Sequence, residues 1–139
     1  MYIINDINYN VNEFTMIRGD SFRYSIKINS GTPLYPIIYN LSENDKLYIG
    51  IMEPNQSFEN AIIKKVYNNN SEKDEEGNIL LLLSPADTEY LTTGLYYIQI
   101  KLKYEEDNIE KISTILNPTK FYICGTNNEN FKENIACNQ

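Results

Sequence analysis

The sequence predicts an all-β protein, an antiparallel β-sandwich of about seven to eight short strands with one helical turn near residues 85–92. Three observations predict it. Apolar and polar residues alternate at period two in several segments, the pattern of half-buried strands. Turn-forming residues recur at spacings of roughly ten positions. No segment carries the 3.6-residue apolar period over the length of an ordinary helix.

Taken in order, residues 21–29, SFRYSIKIN, set Phe22, Tyr24, Ile26 and Ile28 on one side and Ser21, Arg23, Ser25 and Lys27 on the other. This is one of the clearest strand signals in the chain. GTPLYP, residues 31–36, interrupts any ladder with one Gly and two Pro,. KLYIGIM, residues 46–52, resumes the alternation with Leu47, Ile49 and Ile51 until Glu53 and Pro54 close it. AIIKKVY, residues 61–67, puts Ile62 and Ile63 on opposite faces. The polar, acidic NNNSEKDEEGN, residues 68–78, reads as a solvated hairpin connection ending in Gly77-Asn78,.

ILLLL, residues 79–83, is continuously apolar; its length and the Ser84-Pro85 that stops it favour a buried strand over a helix segment,. Residues 84–94 carry helix punctuation. Ser84 can cap, Pro85 suits the first helical position, Asp87 complements the N-terminal dipole and Gly94 can leave in the left-handed region,. LYYIQIKLKY, residues 95–104, alternates again, and EEDN, residues 105–108, turns it into IEKISTIL, residues 109–116, as an antiparallel hairpin,. After Asn117-Pro118, residues 120–124 form a last strand with Phe121 and Ile123 in phase.

With 139 residues, 42% of them hydrophobic, the chain fits one domain,. Residues 13–124 form the sandwich, residues 1–12 an N-terminal arm and residues 125–139 a polar tail, mobile or ordered by a partner. The net charge of −7, the absence of histidine and the lack of a Lys/Arg run disfavour nucleic acid and anionic membranes as partners,. The start, MYIINDINYN, has no basic segment before an apolar one, and nowhere do about 18 apolar residues run together,. Synthesis in the cytoplasm without export is the expectation. Cys124 and Cys137 are then expected as free thiols,; the alternative is a bridge pinning the tail to the last strand. Heavy use of Ile, Asn and Tyr suggests an AT-rich genome.

No constellation for catalysis emerges. Without histidine the commonest base and metal ligand are missing,. A carboxylate pair would suffice for glycoside hydrolysis, but the acidic residues cluster at 72–76 and 105–107, both read as wet hairpin tips,. KDEEGN, residues 73–78, has oxygen ligands and a Gly but lacks the D-x-D-x-D spacing of a calcium loop,. No catalytic, cofactor-binding or metal residue is assigned, and no cofactor. Twelve tyrosines could form a sugar-binding surface,. Tyr24, Tyr96 and Tyr104 are in phase with aliphatic neighbours and read as core, whereas Tyr48 and Tyr97 are out of phase and face solvent or a second layer.

The order of several segments resembles a known family. They are Phe14-Thr15-Met16-Ile17-Arg18-Gly19-Asp20-Ser21-Phe22, Asp45-Lys46-Leu47-Tyr48-Ile49, Leu82-Leu83-Ser84-Pro85-Ala86-Asp87-Thr88, Leu91 and Gly94-Leu95-Tyr96-Tyr97, with a hairpin ending near Phe121. Over residues 13–124 the chain resembles small immunoglobulin-like sandwich proteins of phage and phage-tail-like particle tail modules from low-GC Gram-positive bacteria, akin to the N-terminal domain of baseplate upper proteins. The resemblance implies a non-enzymatic tail or baseplate subunit that packs against other particle proteins and copies of itself. The alternative is a surface adhesion or glycan-binding module.

Arg18-Gly19-Asp20 is also the tripeptide of integrin ligands. Flanked by Phe14 and Met16 before and Phe22, Tyr24 and Ile26 after, it reads instead as a structural turn or bulge, with Gly19 supplying backbone freedom and Asp20 bonding its own backbone,. For partner contacts the arm offers Tyr2, Ile4, Ile7, Tyr9 and Val11 as apolar anchors,.

Overall fold

A computed structural model describes residues 6–7, 13–32 and 34–125. Its elements in chain order are β1 (Asp6–Ile7), β2 (Glu13–Ile17), β3 (Phe22–Ile26), β4 (Ile28–Asn29), β5 (Lys46–Met52), a 3-10 turn (Phe58–Asn60), β6 (Ile63–Tyr67), β7 (Ile79–Leu83), α1 (Pro85–Thr88), β8 (Gly94–Glu106) and β9 (Ile109–Cys124). One sheet runs β2-β9-β8-β5-β6, and two small sheets pair β3 with β7 and β1 with β4. Among the described residues all strand pairings are antiparallel except β2 with β9, which is parallel.

Period-two alternation turns one face of the large sheet inward. Leu47, Ile49 and Ile51 of β5, Ile98, Ile100 and Leu102 of β8, and Phe121 and Ile123 of β9 join Ile26, Ile28, Ile79, Leu81 and Leu83 from the small sheets in one hydrophobic cluster. Each such side chain contributes roughly 1.5–3 kcal/mol by leaving water. Phe14 ties β2 into the cluster, meeting Tyr24 edge-on at 4.9 Å and lying stacked on Phe121 at 5.9 Å between ring centroids,.

The β-rich class, the strand at Lys46–Met52, the opposite faces of Ile62 and Ile63, and the buried strand at Ile79–Leu83 are all present. The departures have physical causes. Residues 21–29 keep one inward phase but divide into β3 and β4 at Lys27, because β3 pairs with β7 and β4 with β1. Residues 68–78 are not a hairpin connection: β6 edges the large sheet while β7 belongs to a small one, so the segment crosses between sheets. Asp74 organises this crossing, accepting hydrogen bonds from the backbone N–H of Glu76 and Asn78 at 2.8 and 2.9 Å and from the Asn78 side chain at 3.0 Å. Side-chain bonds from Asn78 and Ser25, then backbone bonds, hold its carboxyl below the usual range.

The β8–β9 hairpin closes through Asp107-Asn108, whose φ values of 55° and 64° are those of a type I′ turn,. Asn117-Pro118 does not end a strand. The register steps from Ile98↔Thr119 to Ile100↔Leu116 and then to Lys101↔Thr114, so β9 absorbs extra residues as bulges, where a proline without N–H is tolerated. The helical turn is shorter than residues 85–92, ending at Thr88, and Gly94 opens β8 with φ 144° instead of capping α1.

Of the arm placed at residues 1–12, Asp6 and Ile7 form β1 and pair with Asn29 and Ile28. Tyr2, Ile4, Tyr9 and Val11 lie outside the described residues, as does the tail beyond Gly125. Cys124, 1% exposed at the end of β9, is disulfide-bonded, which overturns the expectation of free thiols. That expectation rested on compartment, and compartment carries no information about geometry. The sequence holds one other cysteine, Cys137, outside the described residues. Cys124 is therefore expected to stay unreactive to a thiol reagent in denaturant until a reductant is added; labelling without reduction would contradict the bridge.

Candidate functional site

Three features face outward: the turn at 17–20, the loop at 31–38 and the outer face of the large sheet. The turn carries the two site residues read from sequence as structural. Asp20 N–H donates to Ile17 C=O at 3.1 Å and Gly19 takes φ 83°, the third-position geometry of a type II turn. The tripeptide is anchored at three points. Arg18 N–H donates to Cys124 C=O at 2.9 Å, the Arg18 guanidinium to Leu91 C=O at 3.1 Å, and Gly19 N–H to Thr88 Oγ1 at 2.8 Å. An arginine committed to a backbone carbonyl and a glycine tied to a fully buried threonine make a poor ligand loop.

Thr88 is held by α1. Ser84 N–H donates to Asp87 Oδ2 at 2.8 Å, the reciprocal half of an N-terminal cap,, and Lys65 Nζ lies 3.0 Å from the same carboxylate. Partial burial raises the Asp87 pKa, but the Ser84 and Lys65 contacts outweigh it and hold the carboxyl below its ordinary value of 3.8. Just beyond, Tyr96 OH donates to Thr92 C=O at 2.6 Å.

The loop around residues 31–32 and 34–38 exposes apolar side chains on a hydrogen-bonded backbone. Leu34, Tyr35, Ile37 and Ile38 are 78%, 75%, 61% and 62% exposed. Asn29 Oδ1 accepts from the N–H of both Gly31 and Ile37 at 2.9 Å. Ser30 N–H donates to Ile37 C=O, Tyr39 N–H to Ile28 C=O, and Thr32 Oγ1 accepts from Tyr35 N–H at 3.0 Å. At the loop's far end Tyr39 OH donates to Asp45, which is 3% exposed and also takes Ser42 N–H at 2.8 Å. From sequence alone this segment is only an interruption between strands. Its signal was present in the Leu-Tyr-Pro-Ile-Ile run, too apolar for an ordinary solvent loop,.

The outer sheet face collects the out-of-phase residues. Tyr48 and Tyr97 are half-buried there, whereas Tyr96 is buried and Tyr24 and Tyr104 pack partly against the core. The 3-10 turn lays Phe58 across Gly50: a Cβ on Gly50 would fall 2.9 Å from the ring, so only glycine lets it rest there. Lys101 Nζ sits 4.8 Å from the ring centroid,. Among the described residues no group of three or more His, Cys, Asp or Glu could hold a metal ion, and no helix is long and apolar enough to cross a membrane.

No protein-family model matches the chain, and no curated protein matches it at a significant level.

Gly19→Ala is expected to destabilise the fold by about 1 kcal/mol or more through its positive φ, and Thr88→Val by roughly 1–3 kcal/mol by stranding the Gly19 N–H. Chemical denaturation measures both, and unchanged midpoints would contradict the anchored turn. Because the folded pKa of Asp87 is depressed, its contribution is present above about pH 3.8 and is lost as pH falls through the folded value. Asp87→Asn should flatten the acid limb of stability against pH; an unaltered limb would show that the carboxylate contributes nothing.

Proposed function

We propose that the chain is a non-enzymatic structural subunit of a phage or phage-tail-like particle, an immunoglobulin-like sandwich that works by packing against neighbouring tail or baseplate proteins and copies of itself. The observation that carries this reading is the exposed apolar loop: four large apolar side chains on a backbone pinned by its own hydrogen bonds. Isolated exposed apolar residues are ordinary, but a contiguous and preorganised set favours a protein partner.

The strand arrangement supports the immunoglobulin-like part. The order β9-β8-β5-β6 corresponds to strands G, F, C and C′, and the β3–β7 pair to B and E,. Tyr96 lies near the start of the strand equivalent to F and bonds back to Thr92, as the corner tyrosine does in such sandwiches. The two most specific parts of the sequence resemblance, the segment at 14–22 and the segment at 82–97, meet at Gly19 and Thr88.

Mass spectrometry of tail-like particles purified from producing cells tests the reading. The chain is expected among the particle proteins, and its absence from particles while abundant in the lysate would overturn it. Leu34→Asp with Tyr35→Asp should leave the melting temperature within a few degrees of wild type, since exposed substitutions cost little, within about 0.5 kcal/mol, yet reduce incorporation into particles. Undiminished incorporation would remove the loop from the interface.

A further inference from the structure

We propose a separate ligand site, independent of the assembly reading: a hollow on the outer face of the five-stranded sheet that takes a neutral saccharide. The hollow has a volume of about 440 Å³ and is lined by Glu53, Asn55, Gln56, Phe58, Tyr97 and Gln99, among others. That volume falls within the span of roughly 300–1,000 Å³ typical of small-molecule sites.

Its construction follows from the fold. Tyr97 and Gln99 are two apart on β8 and share the outward face, Tyr97 opposite Met52 and Gln99 opposite Gly50 on β5,. Gly50 admits Phe58 as the wall, since any side chain there would push the ring off the sheet. The rim is the turn Glu53-Pro54-Asn55-Gln56, closed by Gln56 N–H to Glu53 C=O at 3.1 Å with Asn55 at φ 69°. Proline is common at the second position of a type II turn, and asparagine can take the positive φ its third position requires, so Asn55 holds its conformation through local turn chemistry.

The chemistry is that of sugar recognition. Aromatic rings offer a flat apolar surface to the C–H face of a pyranose. The side-chain amides of Asn55, Gln56 and Gln99 each carry donors and an acceptor, matching hydroxyls that both donate and accept. No protein hydrogen bond engages these three amides or the Tyr97 hydroxyl among the described residues. Among the described residues Glu53 is the one carboxylate in the lining and no Lys or Arg belongs to it, the Lys101 ammonium lying against the Phe58 ring, so the polar contacts on offer are chiefly those of neutral amides and a hydroxyl.

Saturation-transfer NMR on the full chain tests this with maltotriose, cellotriose and triacetylchitotriose as neutral probes, tri-galacturonate as the anionic one and a proline-rich decapeptide as a protein-like one. Transfer to the ring protons of at least one neutral trisaccharide is expected, with millimolar affinity. Tyr97→Ala and the double variant Gln56→Ala, Gln99→Ala should each weaken it by about tenfold or more. Should Tyr97→Ala fail to fold, the amide double variant, confined to polar side chains, decides. No transfer to any neutral probe, transfer only to the anion or the peptide, or affinity undiminished in the folded variants would each overturn the proposal.

Discussion

The structure depends on a single crossing point, where the chain changes sheets twice. Between β2 and β3 it leaves the large sheet through residues 18–21, and between β7 and β8 it returns through α1 and residues 89–93. The two passages are bonded to each other by Gly19 N–H to the buried Thr88 hydroxyl and by the Arg18 guanidinium to Leu91 C=O. A chain crossing at the end of a core brings backbone polar groups to a place where water is scarce, and each must be paired. Here every part answers that demand. Gly19 provides the backbone angle, Thr88 the acceptor, and the Ser84–Asp87 cap fixes the threonine in place.

From that corner the remaining devices follow. Among the described residues β6 is an edge strand, and the next strand in sequence belongs to another sheet. Lys65 takes an inward-phase position among the core residues of β6 and reaches Asp87 at 3.0 Å. It thereby puts a charge on an edge that would otherwise invite another strand. Outward-facing Lys64 beside it serves the same end. At the opposite side β9 is flanked by β8 and by parallel β2, and the bulges at Asn117-Pro118 and at Ile115 let a long strand bend while Ile115, Phe121 and Ile123 all stay buried,.

Such a framework leaves function to what lies outside the ladders. The loop at 31–38 rises from β4 on hydrogen bonds centred on Asn29, which is itself mostly buried. Its apolar residues are therefore presented by a support that does not depend on them. The aromatic hollow by Phe58 is likewise carried on rigid strands and a defined turn. Loops and turns set on a rigid β framework are the usual places for recognition, and here the two surfaces differ in kind. One is an apolar prominence suited to a protein partner, and the other a polar and aromatic concavity suited to a small hydroxylated one.

Period-two alternation and turn chemistry made the class, β5, the inward phase of residues 22–28 and the turn role of Gly19 legible, because strand alternation and positive-φ turns are local properties. The type I′ closure at Asp107-Asn108 lay within the turn read at 105–108 for the same reason. What the sequence could not decide was partnership. Whether residues 68–78 join paired strands or cross between sheets depends on which edges are free. The split of one alternating run at Lys27 depends on β1 and β7 competing for its length, and the bulged continuity of β9 past Pro118 depends on β8 holding both halves. The candidate surfaces were hidden for a related reason. Phe58, Tyr97 and Gln99 converge only when a 3-10 turn folds over Gly50, which β5 sets opposite Gln99, and Leu34, Tyr35, Ile37 and Ile38 are conspicuous only once the rest of the apolar residues have been buried. The sequence by itself determined the local conformations and which side of each strand faces inward; the tertiary structure decided the pairing of edges and the exposure of what was left, because both are fixed by contacts between residues far apart in the chain.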